Sequence, residues 1–163
     1  MQSKSEIQIR AAGPPDAVGI ANVLFESFVE YRALYTREGF SATTLDKERV
    51  LARMGEGPIW VAFREATVVG TVAAVVKGER IYMRGMAVSP IARGLKIGAR
   101  LLDQVEQWAS DEGCQRVFLS TTPFLSAAIR LYERFGFRRT DEGPHDLFGT
   151  PLLTMEKDVL GRG

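Results

Sequence analysis

The sequence predicts an α/β domain, which some schemes would class as α+β, with a mixed central sheet of about seven strands and helices on both faces. Two segments rich in β-branched residues, Ile59–Arg64 and residues 67–76, are separated by a very short connection, which predicts an antiparallel hairpin. The strand predicted at Arg80–Val88 is followed by a long amphipathic helix and then by another apolar strand, Arg116–Thr121. Such a strand–helix–strand unit predicts a crossover between parallel strands. Hairpins and crossovers in one chain together predict a mixed sheet.

The length and composition favour one globular domain over residues 1–163. Of the 163 residues, 45% are hydrophobic and 25% are charged, as in ordinary water-soluble domains. The net charge of +1 is spread along the chain without a basic block, which excludes the usual signature of a nucleic-acid partner. No apolar run is long enough to span a membrane. Cys114 is the only cysteine, so no intrachain disulfide can form, and we expect a cytoplasmic protein.

The N-terminal part is predicted to contain one strand and two helices. Alternation of polar and apolar residues indicates a half-buried strand at Ile7–Ala11. Gly13-Pro14-Pro15-Asp16 supplies the proline and the acid that commonly begin a helix, and apolar residues then recur at helical spacing as far as Phe28. A second helix is predicted over residues 45–54, with Thr43 or Thr44 as its N-cap.

Several aromatic residues surround the end of the first predicted helix. Phe25 and Phe28 lie within the helical pattern, where we expect them to pack in the core. Tyr31 and Tyr35 lie in a stretch of weaker periodicity, where contact with a substrate is an alternative to core packing. The candidate substrate-binding residues are therefore Phe28, Tyr31 and Tyr35.

The C-terminal part is predicted to add two helices and the closing strands. The first helix starts at Ile97 and ends before Gly113. Thr122-Pro123 has the form of an N-cap followed by proline, so the second helix is predicted to begin there and to end at Gly136. Strands at residues 137–140 and 152–157 would close the sheet, with a loop over residues 141–151 between them. The predicted order is β-α-α-β-β-β-α-β-α-β-β.

A glycine-rich turn before the first of these helices is the strongest candidate for a binding site. Arg93, Gly94, Lys96 and Gly98 bring bare backbone and positive charge to a helix N-terminus. Free N–H groups and the helix dipole favour an anion there. The alternative is that glycine serves only the geometry of a strand–helix turn. G-x-G-x-x-G directly after the first strand and G-x-x-x-x-G-K-S/T are both absent, which excludes the common dinucleotide and P-loop signatures.

Two motifs carry a resemblance. From Arg93 to Gly98 the chain reads Arg-Gly-Leu-Lys-Ile-Gly, and from Ala128 to Phe137 it reads Ala-Ile-Arg-Leu-Tyr-Glu-Arg-Phe-Gly-Phe. They resemble the pyrophosphate signature Q/R-x-x-G-x-G/A and the A-x-x-L-Y-x-x-x-G-F run of the GNAT superfamily of acyl-CoA-dependent N-acyltransferases. The order of the two motifs and of the predicted elements is also similar to that of the family. Two positions depart from its pattern, since Lys96 replaces a glycine and Leu125 replaces a frequent asparagine.

The resemblance implies an enzyme that transfers an acetyl group from acetyl-CoA to a primary amine of a small molecule or an amino terminus, by direct attack on the thioester. It also implies a proton donor to the leaving thiolate at Tyr132, an oxyanion donor at a strand N–H near Met86 and, as in many relatives, a homodimer. Backbone groups of the central strand would pair with the pantetheine arm, and amides of the following turn would hold the pyrophosphate. The cofactor-binding residues are thus expected to be Met86, Ala87, Val88, Arg93, Gly94, Lys96, Ile97, Gly98 and Ala99.

The sequence leaves the general base and the acceptor open. Glu26, Glu30, Glu79, Tyr82 and His145 are all candidates for the base. One histidine and one cysteine cannot supply a typical nitrogen–sulfur ligand set, so no metal is expected. The alternative functions are a catalytically weak acyl-CoA-binding regulatory module and a protein or peptide N-acetyltransferase.

Overall fold

The computed structural model describes residues 6–159, so the predicted domain extends beyond the described part at both ends. The α-helices are α1 (Ala17–Phe28), α2 (Arg37–Thr43), α3 (Lys47–Met54), α4 (Ile97–Asp111) and α5 (Ser126–Arg134). The strands are β1 (Ile7–Ala11), β2 (Ile59–Arg64), β3 (Thr67–Lys77), β4 (Arg80–Val88), β5 (Arg116–Thr121), β6 (Arg138–Thr140), β7 (Asp146–Leu147), β8 (Thr150–Pro151) and β9 (Leu153–Asp158). Short 3₁₀ turns occupy Pro14–Asp16, Val29–Leu34 and Pro90–Ala92.

Seven of these strands form one mixed sheet in the order β1-β2-β3-β4-β5-β9-β6. Strands β1 to β4 pair antiparallel, β4 and β5 pair parallel, and β9 pairs antiparallel with both β5 and β6. The parallel pair is joined through α4, as expected for a crossover. The structure therefore confirms the predicted mixed α/β architecture.

Helices cover both faces of the sheet, as the alternation along β2 shows. Trp60 and Ala62 pack on the side of α4 and α5, whereas Ile59 and Val61 pack on the side of α1 to α3. The central strands β2, β3 and β4 thus contribute apolar side chains to two cores. Within residues 6–159 no helix is long and apolar enough to cross a bilayer.

The region between α1 and β2 differs from the prediction because α2 was not expected and the N-cap of α3 is Asp46. The Asp46 carboxylate accepts the Arg49 N–H at 2.9 Å and begins α3 at Lys47. The hydroxyls of Thr43 and Thr44, which were predicted as caps, instead donate to carbonyls within α2 at 2.9 and 2.8 Å. Threonine can bond backwards to a helix carbonyl as readily as it caps a helix, so the sequence supports both interpretations.

Helix α5 begins later than predicted. Thr122 and Pro123 form a turn in which the Leu125 N–H donates to the Thr122 carbonyl at 3.1 Å, and the helix starts at Ser126. The Thr122 hydroxyl therefore caps nothing, and within the described chain its buried oxygen has no hydrogen-bond partner.

The predicted loop over residues 141–151 contains a short hairpin, β7–β8, which docks on α2. The Thr36 N–H donates to the Thr150 hydroxyl at 2.9 Å, and the Thr36 hydroxyl donates to the Phe148 carbonyl at 2.9 Å. The same Thr36 oxygen accepts the Gly39 N–H at 3.0 Å and caps α2. Two-residue strands carry too little periodicity to be predicted, and here a contact between distant segments determines them.

Candidate functional site

A cleft of about 760 Å³ opens where β4 and β5 separate. The two strands pair only at Arg80–Tyr82 with Arg116–Phe118, although β4 continues to Val88 and β5 to Thr121. Beyond Tyr82 the edge of β4 that faces β5 is therefore not paired with it. An extended ligand arm can add to such an edge as a further strand would.

A bulge at Gly85 and Met86 bends β4 inside the cleft. The pairing with β3 shifts register here, because Arg84 lies opposite Ala73 and Ala87 lies opposite Thr71. Gly85 has φ +63°, a left-handed conformation that glycine adopts without steric cost. A glycine inside a strand pattern is a known signal for a bulge, and it could have been recognised in the sequence.

The first turn of α4 presents free amides to the cleft. Its first internal hydrogen bond runs from the Arg100 N–H to the Lys96 carbonyl at 3.2 Å, so the N–H groups of Ile97, Gly98 and Ala99 have no partner within the helix. A Cβ at Gly98 would lie 2.7 Å from Leu131 Cδ2, which explains why this turn can approach α5 closely. These amides and the helix dipole suit a phosphate group.

The predicted cofactor-binding residues come together along this cleft with one exception. Met86, Ala87, Val88, Arg93, Gly94, Lys96, Ile97 and Gly98 all line it. Ala99 lies one position further into α4 and does not line it. The Arg93 guanidinium is paired with the Glu30 carboxylate, which joins the Val29–Leu34 turn to the loop before α4.

Lys96 adopts the left-handed conformation at the N-cap of α4, with φ +62°. This conformation costs a non-glycine residue about 1–2 kcal/mol, partly offset by the greater freedom of glycine in the unfolded chain. We expect Lys96→Gly to raise the melting temperature by about 2 °C. It should also weaken coenzyme A binding by about three-fold, because one positive charge near the phosphates is lost. Differential scanning fluorimetry and calorimetry measure the two effects.

Glu65→Gly is the matched control for this prediction. Glu65 has φ +57° in the β2–β3 turn and does not line the cleft. The control should gain similar stability with unchanged coenzyme A affinity. Unchanged or tighter binding by Lys96→Gly would show that the Lys96 ammonium makes no phosphate contact.

Tyr132 lies in α5 with its side chain buried at 5% exposure, and it lines the cleft. Its ring packs against Phe137 with 5.8 Å between centroids. No residue in the described range forms a hydrogen bond with its hydroxyl. Burial, together with the nearby Tyr35, raises the pKa of the phenol. The hydroxyl therefore keeps its proton at physiological pH and is available as a donor.

The three candidate substrate-binding residues, Phe28, Tyr31 and Tyr35, line one side of the cleft. Tyr31 and Tyr35 pack against Phe124, with ring centroids 6.1 and 4.9 Å apart. Phe124 was missed because the turn that carries it was predicted as the start of α5. Phe28 both lines the cleft and forms part of the core, so it agrees with the expectation of core packing and can still contact a substrate.

The prediction that Phe25 packs in the core is wrong, because this residue is 45% exposed. Its ring meets Phe40 edge-on at 6.2 Å on the outside of α1. In a helical pattern a position at the edge of the apolar face can face solvent.

Two hydroxyls lie close to the Tyr35 phenol. Burial raises the pKa of Tyr35, and the nearby Thr122 and Thr43 hydroxyls oppose that shift. The Thr122 oxygen does not reach hydrogen-bonding geometry with Tyr35 and lacks a partner within residues 6–159. Thr122 lines the cleft together with Leu125, the position at which the family often has an asparagine. Ser126, the residue that follows Leu125, does not line the cleft.

None of the acidic or histidine candidates for the general base reaches the cleft. Glu26, Glu30, Glu79 and His145 all lie outside its lining, and within the described chain no Asp, Glu or His lines it. Tyr82 does line it, with its ring stacked on Phe118 at 5.0 Å. No cluster of three potential metal-binding side chains occurs between residues 6 and 159.

Arg53 and Arg84 line the cleft and were missed by the sequence analysis. Arg53 lies in the last turn of α3, where a basic residue is common for reasons of the helix dipole alone. Arg84 lies in β4 and pairs with Glu56. No local pattern distinguishes either residue from an ordinary surface arginine.

Comparison with known proteins supports the same family. The model described as the Acetyltransferase (GNAT) family matches residues 23–137. An IAA acetyltransferase of Azospirillum brasilense is 41% identical over 103 residues, which cover 61% of this chain and 66% of that protein. N-acetyltransferase 8B of Homo sapiens is 34% identical over 89 residues, which cover 51% of this chain and 39% of that protein. The matched region thus spans less than two thirds of the length of these curated relatives.

Solved structures show the same fold. A PaiA N-acetyltransferase of Thermoplasma acidophilum, crystallised in complex with coenzyme A, has a TM-score of 0.80 at 21% identity and covers 94% of this chain and 99% of its own. The putative acetyltransferase YncA of Salmonella typhimurium, determined with its cofactor acetyl-CoA, has a TM-score of 0.71 at 21% identity and covers 94% of both chains. With the family model matched over most of its length, the chain belongs to the GNAT family of acetyltransferases.

Proposed function

We propose that this protein transfers the acetyl group of acetyl-CoA to a primary amine of a small molecule or an amino terminus, by direct attack of the amine on the thioester. The observation that carries the proposal is the position of Tyr132. Its buried hydroxyl lines the same cleft as the free amides of α4 and the unpaired edge of β4. The proposed acetyl-CoA site, the proposed proton donor and the space for the amine acceptor thus lie in one cavity.

The donor half of the cleft suits acetyl-CoA. The pantetheine arm would pair with the β4 backbone at Met86, Ala87 and Val88, and the pyrophosphate would bind the amides before and within the first turn of α4. The free Thr122 hydroxyl adds a polar group along this path. Acetyl-CoA supplies the activated acyl carbon, and the protein supplies its position.

Two groups then assist the displacement. The N–H of Met86, at the bulge of β4, is the candidate donor to the oxyanion that forms when the amine nitrogen bonds to the carbonyl carbon. As the carbon–sulfur bond breaks, the Tyr132 hydroxyl donates its proton to the thiolate. The acetylated nitrogen releases its proton to solvent. The Tyr132 phenolate then takes a proton from solvent and becomes a phenol again.

The acceptor must arrive as a neutral amine, and this favours an α-amine over a lysine side chain. Neutralising the α-amine of a peptide amino terminus, of pKa about 8, at pH 7 costs about 1 kcal/mol, against about 4–5 kcal/mol for a lysine of pKa about 10.4. No carboxylate or histidine within the described range lines the cleft to take the proton from the amine, so water is the proposed proton acceptor.

Two measurements test the proposal. Coenzyme A at about 100 times its dissociation constant should raise the melting temperature by about 5–10 °C. A panel of α-amines, amino-terminal peptides and lysine derivatives should then reveal acetyl transfer, detected as free thiol, with α-amines preferred. A thermal shift by coenzyme A without transfer to any amine would instead favour the regulatory binding module. The cytoplasmic location and the homodimer stay predictions.

A further inference from the structure

Arg53 carries a partly buried guanidinium that has no acceptor within residues 6–159. It lines the cleft from the last turn of α3. Across residues 6–159 no oxygen accepts a hydrogen bond from its side chain and no carboxylate pairs with it. Burial, followed by the positive charge of Arg84, lowers the pKa of Arg53 to about 10, so the group is still charged at neutral pH. Partial removal of a charge from water without a paired carboxylate is costly, and a bound anion would offset that cost.

Arg84 places a second positive charge beside the first. Its terminal nitrogen pairs with Glu56, whose side chain is 56% exposed, while the Arg84 side chain is only 22% exposed. Its Nε is buried and lacks an acceptor in the part of the chain that the structure describes. Among the described residues Glu56 is the one carboxylate that interacts with Arg53, so two arginines leave an excess of positive charge at this end of the cleft.

The position of Arg53 relates this charge to the proposed reaction centre. A Cβ at Gly85 would lie 2.9 Å from Arg53 Nη1, so the guanidinium lies against the Gly85 backbone. Met86, the proposed oxyanion donor, is the next residue, and neighbouring Cα atoms are about 3.8 Å apart. Arg53 also borders the core side formed by Ile20, Leu24 and Val50, which is the sheet face opposite α4. It is therefore on the acceptor side and not at the pyrophosphate site.

We propose that Arg53 and Arg84 bind a carboxylate of the acceptor, so that the acceptor is an α-amino acid rather than a simple amine. The proposal rests on the function proposed above and specifies its substrate class. A guanidinium matches a carboxylate with two parallel hydrogen bonds. In an α-amino acid the carboxylate and the amine are attached to one carbon, which suits a cation located next to the reacting acyl carbon. The absence of acidic residues from the described lining would avoid repulsion of such a substrate.

Matched pairs of acceptors test the proposal with the unaltered protein. L-phenylalanine, L-methionine and L-alanine would each be compared with the corresponding amino-acid amide in acetyl transfer from acetyl-CoA. We expect kcat/KM for at least one acid to exceed that of its amide by about 10-fold or more. Intrinsic reactivity would favour the amide, because its amino group loses its proton more easily than that of the acid. A preference for the acid would therefore have to come from the protein. Equal or lower kcat/KM for all three acids would overturn the proposal.

Arg53→Gln provides the second test. It should lower kcat/KM for the preferred acid by about 10- to 100-fold and change the value for the amide by less than about three-fold. Arg53→Lys should recover part of the loss. Arg49→Gln is the matched control, because Arg49 lies one turn earlier in α3, pairs with Asp46 and does not line the cleft. An equal loss for acid and amide in Arg53→Gln would indicate a structural role and contradict the proposal.

Product binding separates this proposal from the proposed function. Calorimetry in the presence of coenzyme A would compare N-acetyl-L-phenylalanine, N-acetyl-L-methionine and N-acetyl-L-alanine with their amides. Tighter binding of an acid, lost in Arg53→Gln, supports the carboxylate site even if no amine is acetylated, in which case only the transferase function fails. Acetylation of amines without preference for the acids leaves the function intact and overturns the carboxylate site. No transfer and no preference for the acids overturn both.

Discussion

Replacing Tyr132 with phenylalanine is expected to lower kcat for acetyl transfer by about 100-fold or more, while coenzyme A binds with unchanged affinity. A positioned proton donor contributes about 10²–10⁴-fold to rate, and phenylalanine keeps the shape of the ring but has no proton to give. The hydroxyl has no hydrogen-bond partner among the described residues, so its loss removes no stabilising bond of the folded chain. The melting temperature should thus stay within about 2 °C of the original value.

The comparison variant for this test is Tyr35→Phe, which removes another buried phenol from the same cleft. Its effect on kcat should stay below about 10-fold, because a group that only contacts the acceptor mainly affects binding. The pH profile adds an independent readout. Since burial raises the pKa of Tyr132, its proton persists in alkaline solution, and kcat of the unaltered enzyme should not decline between pH 8 and about 10. If Tyr35→Phe lowered kcat as much as Tyr132→Phe, Tyr132 would not be the proton donor.

Replacing Gly85 with valine is expected to lower kcat/KM by about 100-fold. A β-branched residue at φ +63° is strained, and its Cβ would lie 2.9 Å from Arg53 Nη1. Movement of the flexible Arg53 side chain can relieve the contact, but relief of the φ strain requires a change in the β4 backbone at the bulge, which would displace the neighbouring Met86 N–H. A displacement of about 1 Å at the reacting groups can reduce the rate by about 10²-fold. Steady-state kinetics with the best amine of the panel would measure the loss.

Gly78→Val separates this effect from backbone strain. Gly78 has φ +65° in the β3–β4 turn, and nothing lies within 4 Å of a Cβ added there. Both variants should lose about 1–2 kcal/mol of stability, but Gly78→Val should keep its turnover at temperatures well below its melting point. If the two variants were equally active, the bulge would have no part in positioning the reacting groups.

The sequence predicted β1 to β5 well because each is a run rich in apolar or β-branched residues between glycine, proline or charged residues. The bounds of β1, β2, β4 and β5 agree with the prediction to the residue. The starts of α3 and α5 were wrong for a different reason. Thr43, Thr44 and Thr122 are all residues that can cap a helix, and only the folded chain determines which of their local hydrogen bonds form.

The residues of the candidate site also fall into those that could be predicted from the sequence and those that could not. The glycine-rich turn and the tyrosine of α5 belong to contiguous motifs, so their place at the cleft could be predicted from their order in the sequence. Arg53 could not be recognised, because its relevance depends on a bulge in a strand that follows it by about thirty residues and on the absence, within residues 6–159, of a carboxylate in contact with its guanidinium. Contacts of this kind are properties of the tertiary structure.

The docking of the β7–β8 hairpin on Thr36 has a consequence for how selectivity could diversify. Leu147 in the hairpin lines the cleft, and the hydrogen bond from Thr36 to Thr150 joins residues 114 positions apart. The match to the family model ends at residue 137, before this hairpin. One wall of the cavity is therefore assembled from two peripheral stretches that the donor-binding motifs do not include. Grafting both stretches together from a relative would be a direct way to change the acceptor of the proposed transferase while the proposed coenzyme A site stays unaltered.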